Sequence, residues 1–385
     1  MKVAIDLVPI TGKNAGLQSY AKQLVEGIAK VDKNNEYVLL INSKAKELFS
    51  IKQSNFKNIF INTPKRFIGV WEQIYFPFVQ FLKRVDLLHS PVSAIPILAP
   101  CKTVLTVHDL TFKIYPKTMQ WWDRFYWDFF IYQGIKRTTR IITDSIHTKK
   151  DLIKYYNISE NKILVTPLCC SSEFYISSNN LSLNRIKQKY NINRPYILFV
   201  GTLEPRKNIS ALLKAFCIAK QKGNFKHSLV ITGRKGWLYD DIFRIIKELK
   251  IENDVIFTGF IPDEDLPSLY HGADLFVYPS LYEGFGLPVL EAMACGTPVI
   301  TSNSSSLPEV VGDAGILINP KDIDNIANAI IILLKDSFTR TKLAYKGKLR
   351  AQHFTVEKMA YKTIEVYKSI VEEKINENIS NYSHL

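Results

Sequence analysis

Three short stretches combine residue types that could hold a charged, hydroxyl-rich molecule. The richest is DLFVYPSLYEGFGLPVLEAMACGTPVITS, residues 274–302, which sets Glu283 and Glu291 eight residues apart around a glycine loop. A strand pattern ends at Ser280, and a helix is predicted from about Leu287, with Pro288 suited to its first positions. Open backbone N–H groups at such a helix start favour a phosphate or a sugar hydroxyl, and Gly284 and Gly286 allow close approach. A carboxylate accepts paired hydrogen bonds from a vicinal diol, so one glutamate could grip a sugar and the other a ribose. Glu291 alone reads equally well as a helix-start carboxylate set against its own dipole.

The second stretch, GTLEPRKNI at 201–209, places Arg206 and Lys207 just after a strand pattern. A planar fork beside a compact point charge suits the neutralisation of a diphosphate, although adjacent basic residues are also common on solvated surfaces. The third, TVHDLTF at 106–112, puts His108 and Asp109 at a strand end, where a histidine can also serve structure alone. His89 and His271 read as structural.

Positioning these groups requires a regular scaffold, and short β-branched runs do alternate with helix-period stretches, as in parallel sheets flanked by helices. Strands are predicted at 3–8, 37–42, 58–63, 86–90, 103–109, 140–145 and 162–168, and a second series at 196–202, 228–233, 254–260, 274–280 and 298–302. The Ser- and Asn-rich segment 171–194 predicts a linker carrying a short helix. Three helical segments follow Asp322, the last from about Thr355 to Glu373; lacking a strand of its own, it should lean back on the first domain. The expected fold is α/β, with two Rossmann-like doubly wound domains: residues 1–175, joined by the C-terminal helix at about 356–385, and residues 190–355. Ligands of such sheets bind at the carboxyl ends of the strands, where all three stretches fall.

Composition narrows the class. With 385 residues, 46% hydrophobic and 22% charged, the chain can form two packed cores and is neither disordered nor fibrous. The uncharged stretch Leu87 to Cys101 is short and interrupted by Pro91, Pro96 and Pro100, so no membrane span is expected. The opening residues carry Asp6 and no small-residue cleavage site, which argues against a secretory signal and for a cytoplasmic location. Five cysteines without metal-ligand spacing read as reduced, buried thiols. Residues 1–190 hold 27 basic and 14 acidic side chains, against 23 and 22 in residues 191–385. The positive half could meet an acidic bilayer, a diphosphate or a nucleic acid, or could simply be solvated.

Taken together, VHDLTF, DSIHTKKDL (144–152), GTLEPRKNI, TGRKGW (232–237), the Glu-x7-Glu loop and LPEVVGDAG (307–315) resemble glycosyltransferase family 4. That resemblance implies retaining, metal-independent transfer from a nucleotide sugar, within a GT-B architecture of two Rossmann-like domains facing across a cleft. It implies catalytic positions for His108 and Glu283 at the donor sugar, and donor contacts from Phe285, Gly286 and Leu287. Glu291 would grip the ribose diol and Arg206 with Lys207 the diphosphate, with Gly201 and Gly233 on the donor side. Gly16 and Tyr20 match the loop facing the β-phosphate and the acceptor, but Gln18 and Ser19 stand where a second glycine and a basic residue are frequent. The DED run at 263–265 sits in IPDEDLPSLY and reads as a turn opening a short helix, so no metal and no cofactor are expected.

The motifs further resemble bacterial mannosyltransferases of surface polysaccharide synthesis, which implies a hexose, mannose from GDP-mannose, moved to a saccharide or lipid-linked saccharide. A phosphorylase or sugar-nucleotide epimerase would share the architecture. A glycosidase would use two carboxylates but has no need of the Arg-Lys pair. An oxidoreductase is disfavoured because PITGKNAG, not GxGxxG, follows the first strand. The non-enzymatic alternative is a basic nucleic-acid or membrane-surface module. At helical spacing the aromatics Trp121, Trp122, Phe125, Trp127 and Phe129 in residues 119–137 read as core, or could dip into a bilayer interface and bring an acceptor site to its lipid, making a peripheral protein of the inner membrane face.

Overall fold

Two all-parallel sheets organise the chain in the computed structural model. The structure describes all residues except 12–14, 50, 64–72, 74–83, 93–94, 97–98, 117–120, 238 and 383–385, and the side chains of 15, 121–127, 130 and 372–382 also lie outside the description. The bilayer-facing role expected of Trp121, Trp122, Phe125 and Trp127 therefore falls outside the described side chains.

The first unit contains β1 (Lys2–Leu7), β2 (Glu36–Asn42), β3 (Phe56–Ile61), β4 (Leu87–Ser90), β5 (Lys102–Val107), β6 (Arg140–Thr143) and β7 (Ile163–Val165). Their order is β3-β2-β1-β4-β5-β6-β7, so chain direction across the sheet reverses between β1 and β4. Strands buried on both faces must be hydrophobic throughout, as β2 is over EYVLLIN, where only Glu36 is exposed. Ala4, Val8, Val38, Leu40, Ile61, Val85 and Leu88 form one core cluster beneath these strands. The last helix, Val356–Tyr382, belongs to this unit, as expected. It packs on the helix Ala15–Val31 at Gly27, where a Cβ would sit 2.8 Å from Val356 Cγ1, and Lys30 pairs with Glu357 beside that contact.

The second unit contains β8 (Tyr196–Val200), β9 (Ser228–Thr232), β10 (Val255–Gly259), β11 (Leu275–Tyr278), β12 (Val299–Ser302) and β13 (Gly315–Ile318), ordered β10-β9-β8-β11-β12-β13. Its reversal lies between β8 and β11, the position at which doubly wound sheets open a crevice. Strand β13 escapes the sequence reading because it is a four-residue edge strand, GILI, that begins with glycine.

The segment expected as a linker is instead packed into the second unit. Phe174 lies against Tyr270, and the helix Asn180–Lys189 is tied down by Asp265, which receives Arg185 (2.8 Å), Lys189 (2.5 Å) and Tyr190 (3.2 Å). Asp265, the last acid of the DED run, is buried and committed to this tether; it makes no side-chain cap for the short helix that it precedes.

Candidate functional site

Adjacency of β8 and β11 brings two sequence-distant loops together. The turn Pro205–Lys207 follows β8, and Asn208 behind it takes a left-handed φ of 57°. Asn208 fastens the turn by donating from Nδ2 to the carbonyls of Pro279 (3.1 Å) and Pro320 (2.7 Å), and Leu281 N–H donates to Arg206 O (2.9 Å). As a result Arg206 and Lys207 point at Glu283, which follows β11.

Glu283 is 7% exposed and accepts four hydrogen bonds from neighbouring side chains. Oε1 accepts from Lys207 Nζ (2.6 Å), Ser280 Oγ (2.6 Å) and the Tyr278 hydroxyl (2.9 Å), while Oε2 accepts from Arg206 Nη1 (2.7 Å). Arg206 also pairs through Nη2 with Glu204 (2.6 Å), and Lys207 donates to the Tyr278 hydroxyl (2.5 Å). Burial alone would raise the Glu283 pKa, but Arg206 and then Lys207 pull it down to about 2. Burial and the neighbouring Arg206 lower the Lys207 pKa. What the sequence presents as two separate groups is thus one buried cluster of two cations and two carboxylates. The partly exposed Arg206 fork is its most accessible member.

Glu291 occupies different surroundings. It lies in the helix Leu287–Cys295 and accepts a hydrogen bond from the Tyr270 hydroxyl (2.8 Å); burial, with a smaller push from Asp263, raises its pKa to about 7. No cation of this cluster offsets its burial, so the two carboxylates of the Glu-x7-Glu loop are shifted in opposite directions.

The glycine loop between them is shaped by residues that sequence reading passed over. Ser306 Oγ lies 2.9 Å from the carbonyls of both Glu283 and Phe285, and Glu283 N–H donates to Ser305 Oγ (3.0 Å). Gly286 takes φ 108° at the helix start, where a Cβ would meet Leu307 at 2.6 Å. Leu287 opens the helix without a side-chain cap; Pro288 has no N–H to offer, and the Val289 and Leu290 N–H groups donate to the Gly286 carbonyl (3.0 and 3.2 Å). Phe285 is buried edge-on against Phe354 (5.7 Å), so only its backbone is suited to ligand contact. Beyond β9, Gly233 admits no side chain: a Cβ would fall 2.0 Å from the carbonyl oxygen of Gly201.

In the first unit, neighbouring strands β4, β5 and β6 deliver Pro91, His108 and Asp144 to one edge. His108 donates from Nδ1 to Asp144 Oδ2 (2.6 Å) and from Nε2 to the Pro91 carbonyl (2.8 Å). Two acceptors on one ring suit the imidazolium: burial opposes the charge, but Asp144 outweighs it and raises the His108 pKa. In the sequence Asp144 stands only as the first residue of DSIHTKKDL, at the end of the strand beside the one that carries His108. Tyr20 is 2% exposed, with its hydroxyl turned inward to Thr106 (3.3 Å) and its ring edge-on to His108 (4.7 Å). The inward hydroxyl makes Tyr20 a wall for His108 in this structure. Gly16 is exposed at the start of the same helix, with open space around it.

The model of "Glycosyltransferase Family 4" matches residues 15–172, and that of "Glycosyl transferases group 1" matches residues 183–350. Over 69% of its length the chain is 37% identical to O-antigen chain mannosyltransferase B of Escherichia coli, and the match covers 70% of that protein. It is 30% identical over 71% of its length to the serotype-specific mannosyltransferase WbdA of Escherichia coli, of which the match spans 34%. The structure of Anabaena Alr3699/HepE in complex with UDP-glucose matches with a TM-score of 0.75, covering 96% of this chain and 100% of that one at 19% identity, a likeness of fold.

Proposed function

Since the chain belongs to the glycosyltransferases of family 4 and group 1, we propose that it is a retaining, metal-independent mannosyltransferase. It takes mannose from GDP-mannose and transfers it to a saccharide or lipid-linked saccharide in surface polysaccharide synthesis. The observation that carries this reading is the buried Arg206–Lys207–Glu283 cluster at the chain reversal between β8 and β11. Two fixed cations there offset the charge that grows on a diphosphate as its bond to the sugar breaks, the task a divalent ion performs elsewhere. The acceptor oxygen bonds to the anomeric carbon on the face that the diphosphate leaves, and the acceptor proton passes to a departing phosphate oxygen. The mannose assignment draws on the names of the two relatives.

A thermal-shift series with GDP-, UDP- and ADP-sugars in the presence of a chelator tests the donor. GDP-mannose should raise Tm by mass action, and labelled mannose should then appear in the saccharide with its anomeric configuration kept. Release of sugar 1-phosphate or an isomerised sugar would instead identify a phosphorylase or an epimerase, and no shift with any nucleotide sugar would remove the scheme.

Glu291 supplies a pH prediction. Only its ionised form can accept both hydroxyl protons of a ribose diol, and its pKa stands at about 7, so donor affinity should fall as pH drops through neutrality. Between pH 8 and pH 6 the ionised fraction falls about tenfold, and the Kd for GDP-mannose should rise by a similar factor. Both phosphates of the donor are esterified and do not titrate in this range. Glu291→Gln should bind weakly with a flat profile; a flat profile for the unaltered protein would show that Glu291 does not hold the ribose.

The lipid-linked acceptor accords with the surface of the first unit. Lys136 lies 4.2 Å over the Tyr132 ring and Lys154 lies 5.2 Å over Tyr155, with exposed Phe129 and Ile146 on the same helices, Trp121–Arg137 and Ile146–Tyr156. Interleaved rings and ammonium groups fit an anionic bilayer surface. Among the described residues no helix is long and apolar enough to cross one. Co-sedimentation with phosphatidylglycerol vesicles should disappear in high salt and with Lys136→Glu/Lys154→Glu; binding that survives both would exclude this surface.

A further inference from the structure

A buried hydrogen-bond chain runs beneath His108 and takes no part in the steps above. Tyr367, in the last helix, places its hydroxyl 2.6 Å from His89 Nδ1, and His89 Nε2 lies 2.9 Å from Thr106 Oγ1. Thr106 Oγ1 in turn lies 3.3 Å from the Tyr20 hydroxyl, and the Tyr20 ring meets His108 edge-on. His89 and Tyr367 are wholly buried, and Thr106 and Tyr20 nearly so. Burial and the nearby His108 hold the His89 pKa down at about 3, so its imidazole carries one N–H and one lone pair. If one ring nitrogen donates, the other must accept, and loss of either partner leaves a buried polar atom unmatched. Apolar residues could fill this layer without that requirement, whereas the polar chain fixes direction as well as volume.

We propose that His89, Thr106 and Tyr367 are positioning residues through which the last helix sets the place of Tyr20 and, with it, the ring of His108. Asp144 and the Pro91 carbonyl fix His108 at its nitrogens, and the Tyr20 ring packs T-shaped against its imidazole. The inference rests on the transferase reading, in which His108 meets the donor sugar.

Full-length Tyr367→Phe, Thr106→Val and Thr106→Ser proteins test it. The first two should lose about tenfold in kcat for transfer, and Thr106→Ser should recover most of it. KM for the nucleotide sugar, governed by the second unit, should stay within about twofold in all three. In nitrogen-15 spectra the His108 imidazole signals should move in Tyr367→Phe and Thr106→Val and return in Thr106→Ser. If the variants lower Tm while kcat and the His108 signals stay in place, the chain is structural only and the proposal is overturned. Should the unaltered protein transfer no sugar, the transferase reading falls separately, and the spectra still decide whether the chain positions His108.

Discussion

Glu283→Gln should abolish transfer by about a thousandfold and weaken the fold by roughly 3 kcal/mol at neutral pH. Both losses have one origin. The carboxylate is the shared partner of Arg206 and Lys207, and an amide in its place turns N–H groups toward a buried cation and leaves Glu204 as the remaining counter-charge. The depressed Glu283 pKa gives the sign of the pH dependence. Stability from this ionisation is fully present above the unfolded value near 4.5 and is lost as pH falls through about 2. Urea unfolding at pH 7 measures the loss of stability, and transfer assayed well below Tm measures the loss of activity. Unchanged stability would show that the cluster does not depend on Glu283.

Arg206→Ala should cut kcat/KM by about a hundredfold to a thousandfold, with much of the loss in donor affinity. Arg206 alone touches both carboxylates and also donates to the Tyr282 carbonyl (2.9 Å), so its fork sets the mouth of the cluster as well as its charge. Arg206→Lys should restore less than about a tenth of the activity, because one ammonium cannot span Glu204 and Glu283 while presenting N–H groups outward. Calorimetric titration with GDP-mannose, paired with steady-state rates, separates binding from chemistry. An alanine variant that binds and turns over normally would remove Arg206 from the account.

The parts of the fold that were legible in sequence are those written in local pattern. Each of the twelve expected strands has a counterpart, because buried parallel strands such as YILFV and LFVY are unbroken hydrophobic runs. The short helix of segment 171–194 was legible, but its packing was not, because its anchor is a side chain far along the chain, Asp265, and no local composition reveals an ion pair spanning 80 residues. At the candidate site, the glycine loop, Arg206-Lys207 and His108 stood out because each ends a strand. Their contacts did not, since the meeting of Glu283 with Arg206 depends on β8 lying beside β11, which is a property of strand order. Ser306 and Asn208 stayed hidden for the same reason: their work is to hold carbonyls of loops remote in sequence.

In a crystal structure with GDP-mannose bound, phosphate oxygens should lie within about 3 Å of the Arg206 guanidinium and Lys207 Nζ, with the hexose against Glu283 and the ribose diol on Glu291. A structure in which Arg206 and Lys207 stay closed on Glu283 and Glu204, with the diphosphate bound elsewhere, would contradict this placement.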